Sequence, residues 1–214
     1  MSDTKKKSKQ QRILEIRQQL EADWESLPLV SSMAETVPGD GNAEAEIMFI
    51  GEAAGRNELI QRRPFVGQAG KLLQKELEKL GLKREDIYIS NVVKARPPDN
   101  RDPLPEEIEA YRPYLDDEIE AIDPVVIVTL GRFSMGKFIP GVKISQVNGR
   151  LHKVHFRGKD RFVLPFFHPA AALRQGVFME KFMADFQKLP KIVEYIKNKK
   201  TDQETIDTVH EALF

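Results

Sequence analysis

The sequence has 214 residues, 33 of them basic and 33 acidic, and its formal net charge at pH 7 is zero. This length suits one α/β domain with extra helix at its ends, and the balanced charge neither requires nor excludes a nucleic-acid partner. The sequence contains no cysteine, which excludes disulfides, thiolate metal sites and a cysteine nucleophile.

The two ends of the chain differ from its middle. Residues 1–11 are charged and polar, which predicts a flexible basic tail. We expect residues 12–200 to form a single domain and residues 201–214 to form a helical extension. No apolar run approaches membrane-spanning length, so we expect a cytoplasmic protein without a membrane partner.

The first part of the domain predicts a helix, a loop and a buried strand. Apolar residues recur at helical intervals between residues 12 and 25, at Ile13, Ile16, Leu20 and Trp24. Glycine, proline, aspartate and asparagine at residues 38–42 then indicate a loop over residues 31–43. The apolar run that follows predicts a strand over residues 46–50.

The stretch Ile47–Gly70 has the features of a ligand pocket. The strand ends in the sequence GEAAG at residues 51–55, whose glycines allow backbone N–H groups to approach a ligand. Carboxylates at Glu52 and Glu58 can handle a proton or a water molecule, and Phe65 offers a flat face to a planar ring. The alternative is a strand followed by an ordinary solvated loop.

The later elements alternate between strands and helices. We predict strands over residues 86–93, 124–130 and 162–167, helices over residues 71–80, 105–122, 177–200 and 203–213, and an irregular hairpin over residues 142–156 that turns at Asn148-Gly149. Such alternation predicts a three-layer α/β/α fold with a central four-stranded parallel sheet.

In parallel sheets, ligands bind at the carboxyl ends of the strands. The four predicted strands end near Glu52, Asn91, Gly131-Arg132 and His168. An acid, a carboxamide and an imidazole are therefore expected at one edge of the sheet, where the carboxamide could bind the polar edge of a pyrimidine. Each residue also has a simpler interpretation: Asn91 as a turn cap, Phe65 as part of the core, and His168 as a satisfied loop residue.

Several blocks of the sequence closely resemble the family-four uracil-DNA glycosylases, which usually carry an iron–sulfur cluster. The blocks are FIGEAAG, RPFVGQAGKLL, GLKREDIYISNVVKARPPDNRDPLPEE, IVTLGRF and HPAAALR, and together they cover most of residues 41–190. The resemblance implies the α/β fold of that superfamily and hydrolysis of the bond between uracil and deoxyribose in DNA. It also implies base flipping, because that bond is out of reach inside a stacked duplex.

The resemblance assigns roles to individual residues. It implies a uracil pocket formed by Gly51, Glu52, Ala53, Gly55, Phe65, Asn91 and His168. His168 would stabilise the departing uracil anion, and Glu58 and Glu52 complete the expected catalytic group. The residues expected to contact DNA are Gln68, Lys94, Arg96, Arg101, Arg132, Leu173 and Arg174, with Leu173 as the wedge that fills the gap left by the flipped base.

The sequence departs from the family pattern at the cluster. The positions of the four cluster cysteines are occupied by Trp24, Leu27, Ala95 and Tyr111. We therefore predict a variant without metal or cofactor, in which apolar packing replaces metal ligation. Ala54 stands where the family usually has proline, and Leu59 where it has a second acid, which affects the rate more than the reaction class.

These features predict a monomeric uracil-DNA glycosylase of base-excision repair. We expect it to be monofunctional, because no lysine is singled out as a Schiff-base nucleophile. Its partners would be uracil-containing DNA as substrate and free uracil as product. Two alternatives remain at this point: a glycosylase for another deaminated base, such as hypoxanthine or xanthine, and a catalytically weak DNA-binding module of the same fold.

Overall fold

The computed structural model describes residues 7–202, and the side chains of residues 7–199. Its centre is a six-stranded sheet formed by β1 (Asp40–Gly41), β2 (Ile47–Ala53), β3 (Tyr88–Val93), β4 (Val126–Leu130), β5 (His152–Phe156) and β6 (Lys159–Phe166). The strand order is β1-β3-β2-β4-β6-β5. The four central strands pair in parallel, whereas β1 and β5 pair antiparallel at the two edges.

Helices cover both faces of this sheet. They are α1 (Lys9–Ala22), α2 (Arg56–Gln61), α3 (Gln68–Lys79), α4 (Pro105–Ile122), α5 (Arg132–Gly136), α6 (Ile144–Val147), α7 (Pro169–Arg174) and α8 (Gly176–Asp202). Among the described residues, no helix is both long enough and apolar enough to pass through a membrane.

Alternate residues of the central strands belong to two separate cores, as the two-residue period of a strand requires. In β2, Phe49 packs on one face with Leu77 of α3 and Phe186 of α8. Met48 packs on the opposite face, in the core that contains Leu115 of α4. The predicted three-layer α/β/α architecture and its parallel centre are therefore confirmed.

The sheet has two more strands than predicted, and the hairpin turns elsewhere. β5 and β6 are joined by Arg157 and Gly158, whose φ angles of 48° and 78° suit a tight two-residue turn. The hairpin expected around Asn148-Gly149 is wrong, because these residues form a turn at the end of α6 and Gly149 N–H donates to Pro165 O at 2.7 Å. This contact holds Gly149 against β6.

Three helices have boundaries that differ from the prediction, and α3 begins three residues earlier than expected, at Gln68. α1 begins at Lys9 because the Ser8 hydroxyl accepts a hydrogen bond from Gln11 N–H and caps the helix. α8 continues to Asp202. Residues 1–6 of the predicted tail lie outside the described residues, as do residues 203–214, with the helix expected over 203–213.

Candidate active site

A cleft of about 650 Å³ opens at the carboxyl ends of the central strands. Its walls come from the end of β2, from the segment between α2 and α3, and from the starts of α5 and α7. Of the predicted site residues, the cleft is lined by Glu52, Ala53, Gly55, Glu58, Phe65, Gln68, Arg101, Arg132, His168 and Arg174. Five predicted residues are not among its lining residues: Gly51, Asn91, Lys94, Arg96 and Leu173.

Gly51 is the point at which Asn91 and Phe65 meet. A Cβ atom on Gly51 would lie 2.4 Å from Asn91 Oδ1 and 2.5 Å from Cε2 of the Phe65 ring. Neighbouring β2 and β3 set this arrangement, because Gly51 and Asn91 are paired across the sheet. Only glycine leaves room for both side chains here.

The carboxamide of Asn91 is buried beside the cleft, with 2% of the residue exposed. Asn91 Oδ1 has no hydrogen-bond partner among the described residues. A buried acceptor without a partner costs free energy, so such an atom in a native protein calls for an explanation. At Gly51 this oxygen lies close to the ring of Phe65, which lines the cleft.

His168 lies next to Phe65. The two ring centroids are 5.8 Å apart, and the ring planes are inclined by 39°. His168 Nδ1 accepts a hydrogen bond from Ala170 N–H at 3.1 Å, as the cap of α7. Because Nδ1 is the acceptor, the neutral ring carries its proton on Nε2, which makes Nε2–H a donor.

The surroundings of His168 keep its ring neutral. Burial, together with the nearby Arg174 guanidinium, lowers the pKa of His168 to about 4, and the Glu58 carboxylate opposes this shift only partly. The imidazole is therefore uncharged at neutral pH. In this neutral form Nε2–H remains available as a hydrogen-bond donor.

The two acidic residues of the cleft have different environments. Burial and the charge of Asp102 raise the pKa of Glu52, against the effect of Arg132. Glu58 Oε1 accepts hydrogen bonds from the backbone N–H groups of Val66 and Gly67 at 3.0 and 2.7 Å. Glu58 therefore holds the loop that carries Phe65, and its second oxygen faces Gly55.

The backbone of Phe65 is strained. Its φ angle is 55°, in the left-handed region that costs a non-glycine residue roughly 1–2 kcal/mol. Arg84 stabilises this conformation by donating to Pro64 O at 2.6 Å and to Phe65 O at 3.4 Å. Asp40 in turn pairs with Arg84 at 3.1 Å. The sequence gives no sign of the contact between Arg84 and Phe65, because the two residues are 19 positions apart.

The predicted DNA-contacting residues fall into two groups. Exposed residues around the cleft are Gln68, Arg101, Arg132, Leu173 and Arg174, and Arg96 is partly exposed. Lys94 does not belong with them, and its assignment to DNA is wrong. It is completely buried, and its ammonium group donates to Glu118 Oε2 and Ser90 Oγ, both at 2.6 Å. A charge this deep needs a paired carboxylate.

Two phenylalanines also belong to the cleft, although sequence analysis did not select them. Phe167 and Phe178 both line it, and their rings stack with centroids 4.6 Å apart. Phe167 directly precedes His168, so its position next to a strand end was a usable signal. Phe178 lies in the apolar pattern of a long helix, which gave no reason to separate it from the core.

The positions of the four family cysteines do not fit an iron–sulfur cluster. Leu27, Ala95 and Tyr111 are buried in one apolar core, and Trp24 is partly buried in a short 3-10 turn. None of the four side chains offers a thiolate, and the Tyr111 hydroxyl is occupied by donating to Pro28 O at 2.6 Å. Within residues 7–202, no group of three or more His, Cys, Asp or Glu side chains could hold a metal ion.

Comparisons with known proteins agree with this geometry. The family model of the uracil DNA glycosylase superfamily matches residues 38–189. A type-4 uracil-DNA glycosylase of Archaeoglobus fulgidus is 49% identical over 159 residues, covering 72% of this chain and 79% of that protein. Type-4 enzymes of Saccharolobus solfataricus and Thermotoga maritima are 48% and 44% identical, over 72% and 69% of this chain and 74% and 76% of theirs.

Proposed function

The chain belongs to the uracil DNA glycosylase superfamily, among the relatives of its type-4 enzymes, and from this membership we propose that it removes uracil from DNA. The enzyme flips uracil out of the helix and hydrolyses its N-glycosidic bond, which initiates base-excision repair. The observation that carries this proposal is the meeting of Phe65, Asn91 and His168 around the end of β2.

Recognition of uracil rests on Phe65 and Asn91. The Phe65 ring stacks on the flat face of the base. The orphaned Asn91 Oδ1 accepts a hydrogen bond from uracil N3–H, and the amide nitrogen of the same side chain donates to uracil O4. Cytosine presents an acceptor at its N3 and a donor at C4, so it would face both Asn91 atoms with the wrong polarity.

Catalysis rests mainly on His168. When the bond between C1′ and N1 breaks, its electron pair moves into the uracil ring and places negative charge on O2. The Nε2–H group of His168 donates a hydrogen bond to this oxygen, and we expect this stabilisation of the developing charge to be the largest contribution to the rate. The neutral ring holds this donor in place before the bond breaks.

The attacking water is oriented by a carboxylate. Glu58 already binds the loop of Phe65 through Oε1, so its second oxygen is the one that orients the attacking water and accepts its proton. Oxygen of that water forms the new bond to C1′, and the released uracil anion takes up a proton. Glu52 lines the same cleft and contributes to the uracil pocket through its position at the end of β2.

The surface around the cleft binds the DNA backbone. Arg96, Arg101, Arg132 and Arg174 supply positive charge, and Gln68 lies at the start of α3. Leu173 is 48% exposed on α7 and fills the space left by the flipped base. Arg101 and Arg132 are paired with Glu107 and Asp102, so DNA phosphates compete with these carboxylates.

The enzyme works without an iron–sulfur cluster. In place of metal ligation, Tyr111 of α4 packs in one core with Leu27 and Ala95, and the Tyr111 hydroxyl donates to Pro28 O in the segment after α1. Burial of side chains of this size contributes on the order of several kcal/mol of transfer free energy. The functional form is a cytoplasmic monomer whose catalytic domain covers residues 12–200.

Oligonucleotides that carry one uracil, thymine, cytosine, hypoxanthine or xanthine test this function. Release of the base, followed by alkaline cleavage of the abasic strand, is expected for uracil alone. Borohydride is expected to trap no covalent enzyme–DNA adduct, since no lysine attacks the sugar. Release of hypoxanthine or xanthine, but not of uracil, would show that the substrate is another deaminated base. Tight DNA binding without release of any base would show that the protein is a DNA-binding module.

A further inference from the structure

The Asn148-Gly149 pair connects α8 to the segment that carries His168. Asn148 Oδ1 accepts a hydrogen bond from Phe167 N–H at 2.7 Å, and Asn148 Nδ2 donates to Asp185 Oδ2 at 2.6 Å. One carboxamide thus bridges a carboxylate on α8 and the backbone group directly before His168. The proposed chemistry does not use any of these groups.

Asp185 determines which way the Asn148 amide points. The residue is 4% exposed, and its carboxylate can only accept hydrogen bonds. It therefore faces the amide nitrogen of Asn148 and leaves the amide oxygen for Phe167. Lys188 Nζ donates to the other carboxylate oxygen, at 3.3 Å.

Gly149 allows the carboxylate to come this close. A Cβ atom on Gly149 would lie 2.3 Å from Asp185 Oδ1, and its φ angle is 70°. Both observations require glycine at this position. The Asn148-Gly149 sequence is therefore adapted to holding a buried carboxylate.

The segment that carries His168 is fixed from two sides. Gly131 N–H donates to Phe166 O at 2.9 Å, and Asn148 binds the next residue, Phe167. His168 follows directly, with its Nδ1 already engaged as the cap of α7. Its ring can therefore move only if one of these contacts changes.

We infer that Asn148 is a positioning residue for His168 and that Asp185 sets its orientation. This inference rests on the proposed function, in which the His168 ring must lie within hydrogen-bond reach of uracil O2. Displacements of about 1 Å in a catalytic group can reduce the rate by about 10²-fold. Such a displacement affects the chemical step more than substrate binding, so it lowers kcat and changes KM little.

An exchange of the two side chains tests the inference. Asn148→Asp places two carboxylates against each other, and we expect kcat to fall by about 10²-fold. In the double variant Asn148→Asp with Asp185→Asn, the new carboxylate accepts from Phe167 N–H and from the new amide. We expect this exchange to restore kcat to within about tenfold of the wild type.

NMR of the His168 imidazole provides a readout that does not need catalysis. Its ring carbon resonances, assigned with a His168→Gln variant, should shift in Asn148→Asp and return in the double variant. If Asn148→Asp does not fold, Asn148→Ala in the Asp185→Asn background replaces it, because that variant leaves no unpaired carboxylate. We expect it to show the same loss of kcat and the same shift.

The outcomes separate this inference from the proposed function. A wild-type protein that releases no uracil contradicts the function, and the NMR comparison then decides the positioning role by itself. Suppose that the wild type releases uracil and that the single variants have the same kcat and the same His168 resonances as the wild type. This result overturns the positioning role of Asn148. If kcat of the double variant is as low as that of Asn148→Asp, Asp185 does not set the orientation of Asn148.

Discussion

Replacing Asn91 with alanine removes the carboxamide that we propose binds the polar edge of uracil. The buried carboxamide supplies an acceptor and a donor to the base, and each hydrogen bond left unmade in a dry site costs about 1–3 kcal/mol. Loss of both raises the activation barrier by about 2–6 kcal/mol, which corresponds to a decrease in kcat/KM of about 30-fold to 10⁴-fold. Stability should change little, because Asn91 Oδ1 has no partner among the described residues of the free protein.

Single-turnover release of uracil from a single-stranded oligonucleotide measures this loss, and thermal unfolding measures stability. Asn198→Ala is the matched control, since Asn198 is an exposed residue of α8 far from the cleft residues in the chain. It should release uracil at the wild-type rate. An Asn91→Ala protein with a rate within about threefold of the wild type would refute the assigned role, as would a loss fully explained by unfolding.

Three further predictions concern the cleft and the packing around Tyr111. Gly51→Ala places a methyl group 2.4 Å from Asn91 Oδ1, so uracil release should fall by about 10²-fold while the affinity for DNA without uracil stays unchanged. The pKa of His168 in the folded protein, about 4, lies below its value near 6.5 in the unfolded chain. Between about pH 4 and pH 6.5 the unfolded chain therefore binds more protons than the folded protein. The free energy of unfolding should fall by about 3 kcal/mol as the pH is lowered from about 6.5 to about 4, and a His168→Gln variant should lack this part of the pH dependence. Tyr111→Phe removes the hydrogen bond to Pro28 O and should lower Tm by about 2–4 °C, whereas an iron chelator should not change the Tm of the wild type.

Each of these predictions has a control and a contrary outcome. Gly136→Ala adds a methyl group in open space and should retain full activity, and normal uracil release by Gly51→Ala would contradict the crowding at β2. Equal slopes of stability against pH in the wild type and in His168→Gln would contradict the buried, neutral imidazole. A brown, iron-containing protein, or one destabilised by the chelator, would contradict the replacement of the cluster by packing.

The centre of the fold could be predicted because its signals are local. The strand around Phe49 and the strand 126–130 are short apolar runs, and their alternation with helices implies a parallel sheet. The rule that ligands bind at the carboxyl ends of such strands then selected Glu52, Asn91 and His168, and the structure brings all three to one end of the sheet.

Other features depended on contacts between distant parts of the chain. Lys94 looks like a loop cation in the sequence, but Glu118 on α4 pairs with it in the interior. The Asn148-Gly149 pair has the composition of a hairpin turn, yet Asp185 engages it from α8, and the real turn contains Arg157. Local patterns carry no information about such partners, so tertiary contacts override them.

We propose that Phe65, Asn91 and His168 together bind a flipped uracil. The most direct test is a crystal structure with an oligonucleotide that contains 2′-fluoro-2′-deoxyuridine, which resists cleavage. We expect a flipped uracil whose face lies on the Phe65 ring, with Asn91 bound to N3–H and O4 and His168 Nε2 bound to O2. A uracil that remains stacked in the DNA, or one bound without contact to Asn91 and His168, would contradict it.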